Sequence, residues 1–352
     1  MVQRLSSSET RKALEMTLNT PRTRRPTIYD VAKTAGVSPS LVSLVLQNPA
    51  KVSEKRRAAV RAAMSELGYR PSRAATTLAS SQTKSIGLVI DDFRNLWFVD
   101  LLRGMESALS PHGYQVTLAD SRPGENRITE AADGLLAMHV EGLVIAAEPS
   151  ESMMAGTWVP AVVAGWRNGV PAGAGLITND DDRGGRMAAE HLLGLGHSRI
   201  GHLSGSGGAA AHRREGFRGG MLAAGAEVRI AGESHGTSEE DGYEAACWLL
   251  DNHPDTTALF AANDTMALGA LAAAKARGLS VPEDLSVVGY DNSQLAKSRY
   301  LDITSVDNRS DLVGADVANT LLARIQEPSL GPERKLIEPA LIVRGTTARA
   351  RG

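Results

Sequence analysis

The chain has 352 residues, 42% hydrophobic, 22% charged and only 4% aromatic, enough apolar material for two or three globular domains and too balanced for a collagen-like, mucin-like or fibrous chain. Its single cysteine, Cys247, excludes an internal disulfide and a cysteine-based zinc cluster and fits a reducing compartment. The net charge of -2 conceals a division: residues 1–82 carry 14 Lys and Arg against 5 Asp and Glu, and the remainder 24 against 35. A head of +9 thus precedes a body of -11, as in a polyanion-binding module joined to a solvated partner domain. No stretch approaches the roughly 20 apolar residues of a membrane helix and the N-terminus lacks a secretory apolar core, so a cytoplasmic location is expected.

Residues 1–26 are polar and aperiodic and end in Arg22, Arg24, Arg25 and Pro26, which reads as a mobile basic arm; Met16 is an alternative start. From Thr27 a helical period begins. Ile28, Val31, Ala32 and Ala35 fall on one face of a short helix closed by Gly36. Ser38 and Pro39 are the preferred N-cap and first-turn pair for a second helix, on which Val42, Val45 and Leu46 face the first. Leu41 and Leu44 lie on another side, and a helix this short and apolar on two sides is expected to bury both. A third helix runs from Ser53 or Glu54 to Leu67, with Val60, Met64 and Leu67 inward and Gly68 closing it. Lys33, Lys51, Lys55, Arg56 and Arg57 flank the second helix, as phosphate contacts would if it entered a groove.

The stretch TIYDVAKTAGVSPSLVSLVLQNPAKVSEKRRAAVRAAMSELGYRPSRAATTLASSQTKSIGLVI closely resembles the DNA-binding head and linker of the lactose/galactose repressor (LacI/GalR) family, and the similarity continues to the C-terminal LIVRGTTA. The resemblance implies a small all-α helix-turn-helix head (residues 27–71) and a hinge helix and linker (72–83). These are joined to an α/β two-lobed, periplasmic-binding-protein-like domain with parallel sheets (84–346), for effector binding and dimerisation, followed by a tail (347–352). It places Thr27, Ser38, Pro39, Ser40, Ser43, Leu44, Lys51 and Ser53 at the DNA, with Arg73 on the hinge helix and Leu78 as an apolar wedge in the minor groove. Such a wedge can part a base step and kink the duplex. Many members carry an Arg where this chain has Leu44, which can offer only apolar contact, so an operator unlike the family's commonest is expected.

In the body, apolar runs alternate with helical segments: SIGLVI, YQVTLA, GLVIAA, PAVVAG, RIGHLS, ALFAAN and LSVVGY. That is the pattern of parallel sheets covered by helices, and its length calls for two lobes. Asp91 and Asp92, Asp120, Asn263 and Asp264, and Asp291 follow these runs, and side chains at the carboxyl ends of parallel strands converge on one cleft. Asp264 reads more simply as a helix cap. The resemblance places the effector contacts at Trp97 and Phe98 on the lip, and at Arg213, Asn263 and Asp291. Where many members have an Asp after PVV, this chain has Gly165 and then Trp166, a missing contact that suggests a more apolar or larger effector than a free sugar.

Two motifs point toward enzymes. Gly205-Ser206-Gly207-Gly208-Ala209-Ala210 matches a dinucleotide fingerprint but is not in the first βα unit. Gly232-Glu233-Ser234-His235-Gly236 matches a nucleophile elbow but has no plausibly spaced triad partners. The eight histidines show no close metal-ligand spacing. No enzyme activity, cofactor or metal is therefore expected. A solute receptor would need an export signal and no helix-turn-helix; a nucleoside- or nucleobase-responsive regulator of the same fold is the nearer alternative. The expected partners are double-stranded operator DNA, a carbohydrate or polyol effector and a second copy of the chain. Tetrameric relatives add a leucine-heptad helix, and the seven residues after Gly345 have no large apolar side chain for one.

Overall fold

A computed structural model describes residues 26–70, 82–121, 127–150, 153 and 157–351. The chain divides into two compact units between Thr83 and Lys84.

The head holds α1 (Ile28–Ala35), α2 (Pro39–Gln47) and α3 (Glu54–Leu67), with a 3-10 turn at Pro49–Lys51. The Thr27 amide and hydroxyl both donate to Asp30 Oδ2 at 2.7 Å, fixing the start of α1. Gly36 ends it at φ 66°, where a side chain would be strained. Ser38 Oγ accepts from the Leu41 amide at 3.2 Å and opens α2. Val31, Ala32, Val42, Val45, Val52, Val60 and Ala63 form the core, and Met64 and Leu67, expected inward, are its partly buried edge. The arm up to Arg25 and the hinge segment 73–79, with Arg73 and Leu78, lie outside the described residues.

The body is two six-stranded sheets. The first, in order β11-β5-β4-β3-β1-β2, comprises β1 (Ser85–Ile90), β2 (Gln115–Asp120), β3 (Gly142–Ala146), β4 (Ala161–Ala164), β5 (Gly175–Asn179) and β11 (Arg334–Ile337), all parallel. The second, in order β12-β10-β9-β8-β6-β7, comprises β6 (Ile200–Leu203), β7 (Arg229–Ala231), β8 (Ala258–Ala261), β9 (Ser286–Tyr290), β10 (Thr304–Asp307) and β12 (Ala340–Ile342), parallel except for β12. Alternate side chains of one strand feed opposite cores: Ile86, Leu88 and Ile90 pack with α4 (Trp97–Leu109) and α10 (Ser310–Gln326), while Val89 packs with α5 (Arg127–Ala137). In the second lobe, α6 (Asp181–Gly194) and α7 (Gly208–Ala223) cover one face, and α8 (Glu239–Asn252) and α9 (Asp264–Ala276) the other. The chain crosses between lobes after β5, β10 and β11.

Seven strands lie on the expected runs and β12 falls at the expected last strand around Leu341 and Ile342, whereas β5, β7, β10 and β11 lie outside those runs. Residues 347–351, set apart as a tail on sequence grounds, are stitched to the second lobe. The Ala348 amide donates to Ser286 Oγ, the Ala350 amide to the Leu195 carbonyl, and Arg351 pairs with Asp284.

Candidate ligand cleft and nucleic-acid interface

In both sheets the strand order reverses beside the first strand, between β1 and β3 and between β6 and β8, and ligands of open α/β sheets bind outside the carboxyl ends of strands at such a switch. A cleft of about 790 Å³, counting its solvent-open mouth, lies there. Asp91 follows β1, Glu148 follows β3, Gly165 to Arg167 follow β4, and Asn179 and Asp181 flank the end of β5; from the other lobe come Ser206 to Ala210, Arg213, Asn263 and Asp291. Trp97 and Phe98 line it too. The five residues named from the family resemblance, Trp97, Phe98, Arg213, Asn263 and Asp291, are therefore all on one surface.

The two aromatics are not on a lip. They are 7% and 6% exposed and meet edge to face with centroids 5.2 Å apart, part of the first lobe's core as well as the cleft wall. Trp166 is the rim aromatic: it stacks on His212 of α7 at 4.2 Å, so the lobes touch there. Gly165 has φ 77°, and a Cβ on it would lie 3.3 Å from the Trp97 ring. Glycine at this point lets the indole close over the β4 turn. Beside it, Arg167 donates to the Trp166 and Ala146 carbonyls at 2.8 and 2.9 Å and lies 6.0 Å above the Trp97 ring.

Arg213 is the electrostatic centre. Its Nε donates to Asp181 Oδ1 at 2.7 Å, Nη1 to the Ala262 carbonyl at 2.6 Å, and Nη2 lies 3.5 Å from Asp291 Oδ1, with the guanidinium 3.8 Å over Tyr290. Burial opposes its charge, but Asp181 and Asp291 together outweigh burial and hold it firmly protonated. Asp291 sits at φ 95° and accepts from Asn308 Nδ2 at 2.7 Å. Among the described residues, two polar atoms of the cleft wall, Trp166 Nε1 and Arg167 Nε, are buried without a hydrogen-bond partner, which suits a polar ligand that completes them.

Not every post-strand polar residue reaches this cleft. Asp92 makes a surface ion pair with Arg94 at 3.0 Å, and Asp120 is not among the lining residues. The expected cap role of Asp264 is also corrected: Asn263 caps α9 by accepting from the Met266 amide at 2.7 Å, and its Nδ2 donates to the Thr237 carbonyl at 3.0 Å. Asp264, one residue further, turns inward and accepts from the Ser293 amide, Ser293 Oγ and Ser305 Oγ. Glu148, Arg167, Asn179 and Asp181 went unnoticed in the sequence; for the last two the signal was the unread strand GLITN.

Burial pushes the Asp291 carboxyl up to about 7 despite Arg213, and that of Asp264 to about 6 despite its serine donors. Unfolded aspartates titrate near ~3.9, so between that value and 7 these two carboxyls hold more protons in the native body than in the unfolded chain, while burial pushes His202 down to about 3 and lowers His191 and His197, which acts in the opposite sense below about 6.5. The aspartates' contribution to stability therefore falls as pH rises through this window, and that of the histidines rises up to about 6.5. Above about pH 6.5 the Asp291 contribution is the one still being lost, so melting temperatures should fall from there to pH 8, and Asp291→Asn should flatten that fall. An unchanged slope in the variant would mean that Asp291 is ionised throughout.

In the head, Leu41, Leu44 and Leu46 of α2 are half-buried against the same core as Val42 and Val45, so the second apolar side is partly covered within the head itself. Ser40, Lys51 and Ser53 are exposed, Pro39 and Ser43 half-exposed. Lys33, Lys55 and Arg56 are exposed around them, whereas Arg57 pairs with Glu54 and donates to the Pro49 carbonyl.

A helix-turn-helix unit on the same chain as a two-lobed α/β body with a polar cleft defines a ligand-responsive regulator. Residues 27–72 match the family model for bacterial regulatory proteins of the lacI family, and residues 189–347 that for a periplasmic binding protein-like domain. The chain is 37% identical over 337 residues to the HTH-type transcriptional regulator CelR of Thermobifida fusca, covering 92% of this chain and 98% of that protein. It belongs to the lacI family of bacterial regulatory proteins. Its structure is similar to that of a transcriptional regulator CelR–cellobiose complex (TM-score 0.68, 33% identity, 92% and 100% of the chains). It is also similar to the lac repressor dimer bound to operator and an anti-inducer (TM-score 0.79, 29% identity, 92% and 100%). Among the described residues no helix is long and apolar enough to cross a membrane.

Proposed function

We propose that the protein is a transcriptional repressor that binds a pseudo-palindromic operator as a homodimer and changes operator affinity when a carbohydrate or polyol occupies the cleft. The observation that carries this is the joining, in one chain, of a capped helix-turn-helix to a cleft lined by amides, carboxylates and guanidinium groups around an indole, the chemistry that takes hydroxyls and a sugar face. The similar CelR structure contains cellobiose, and the similar lac repressor structure is a dimer on operator. Subunit contact would use α4 and α5, where Val99 and the adjoining Met138 are apolar and exposed. An effector moves operator affinity only by its preference for one lobe arrangement, typically about 1–3 kcal/mol.

The reading of operator bases is assigned to Pro39, Ser40 and Leu44, with Thr27, Ser38, Ser43, Lys51, Ser53 and Arg73 positioning the head and Leu78 bending the site. Leu44→Arg should change base preference at one symmetric pair of positions by about 1–3 kcal/mol and leave the salt slope nearly unchanged. Selection from random DNA with both proteins tests this, and recovery of the same site by both would remove Leu44 from the bases. Failure of the parent protein to select any two-fold-symmetric site would overturn the operator reading as a whole. A thermal-shift panel of sugars, polyols and nucleosides, followed by operator titration with the best binder, tests the effector.

A further inference from the structure

The cleft's charges do not balance. Among the described residues four carboxylates line it, Asp91, Glu148, Asp181 and Asp291, against two guanidinium groups, Arg167 and Arg213. Both cations are already engaged. Arg213 directs Nε at Asp181 and Nη1 at the Ala262 carbonyl, with Asp291 beside Nη2. Arg167 directs Nη1 and Nη2 at backbone carbonyls. Arg167 keeps Nε without a partner, a single prong, so neither presents the free two-pronged edge with which arginine takes a phosphate. The opposing feature is the first turn of α7, whose residues 208–210 are on the cleft wall; a helix start counts for about half a positive charge, too little against an excess of two carboxylates.

We propose that this cleft takes an uncharged polyhydroxyl ligand and rejects its phosphate ester, so that the effector is a free sugar and not a sugar phosphate. The inference rests on the carbohydrate reading above and narrows it. Burial first, and then the nearby Asp264 and Asp181 carboxyls, hold the Asp291 proton on up to about pH 7, and a ligand dianion beside it would add to the repulsion from those neighbours. The signal is accordingly supplied by reactions that release or import sugar unmodified, and is consumed by phosphoryl transfer to one of its hydroxyls.

Calorimetric titration of the full-length protein at pH 7.5 and low salt tests this with paired probes: glucose and glucose 6-phosphate, ribose and ribose 5-phosphate, cellobiose and its 6-phosphate. In any pair that binds, the ester should be weaker by at least about tenfold, the order expected for one like-charge contact in a partly screened cleft. The double variant Asp91→Asn, Glu148→Gln, altering the two carboxylates that do not touch Arg213, should narrow that gap several-fold. An ester as tight as its parent sugar, or a gap unaltered in the variant, overturns the proposal while leaving a sugar-responsive regulator intact. If no sugar and no ester binds, the carbohydrate reading falls and this inference with it.

Discussion

Replacing Arg213 by methionine is expected to destabilise the body by about 3–5 kcal/mol, the range for removing one partner of a buried ion pair, and to abolish ligand binding. Asp181 is 1% exposed and Asp291 8%; without the guanidinium both carboxylates stay buried, and the other arginine of the cleft, Arg167, is also drawn by Asp91 and Glu148. The methionine restores little, because the lost partner is a charge and not a shape. A triple variant, Arg213→Met with Asp181→Asn and Asp291→Asn, removes the stranded charges and should recover most of the stability without recovering binding. Urea unfolding and calorimetry together separate the two effects. A single variant that loses under about 1 kcal/mol would mean that the aspartates escape by taking up protons, a route that Asp291 is already close to using.

What was legible in the sequence depended on how apolar the buried surface is. β1, β3, β4 and β9 are nearly continuous apolar runs and could be read directly. β5 and β10 are just as buried, yet Thr178, Asn179, Thr304 and Ser305 put polar side chains at 0–1% exposure. Three of these side chains find partners far along the chain: Asn179 Nδ2 donates to the Tyr290 hydroxyl, Thr304 Oγ1 to the Arg344 carbonyl, and Ser305 Oγ to Asp264. Hydrophobic period cannot register a strand whose interior is satisfied by hydrogen bonds, and the site residues that follow β5 were lost with it. Asp264 shows the reverse error. A local rule made it the cap of α9, but the residue before it has the extended backbone a cap needs, which freed Asp264 to join a buried cluster that only tertiary structure brings together. Arg167 and Trp166 depend on a loop conformation and on Gly165 at positive φ, neither of which has a period.

The other large effect is expected at Gly185. Helices α6 and α7 cross with their backbones in contact: a Cβ on Gly185 would lie 2.0 Å from the Arg213 carbonyl oxygen, and one on Gly216 1.9 Å from that of Asp182. Backbone oxygens cannot rotate aside, so even a methyl group must push the helices apart. That loosens Ala188, Ala189 and Leu192 against Phe217 and Met221, and overpacking of a fixed core costs about 1–3 kcal/mol, sometimes more. The displaced atom belongs to Arg213, so the same movement draws its guanidinium off Asp181, where the bond is now 2.7 Å. Gly185→Ala is therefore expected to lose about 3 kcal/mol and most ligand affinity, through a residue that does not line the cleft. Gly219 on the same α7 is the control: its Cβ would meet only the far end of the Arg186 side chain at 3.4 Å, and alanine favours the helix by up to about 1 kcal/mol. Gly219→Ala should leave stability unchanged or slightly raised. Equal losses in the two variants, measured by chemical unfolding, would show that α7 tolerates no change anywhere and that the close crossing at Gly185 has no particular hold on Arg213.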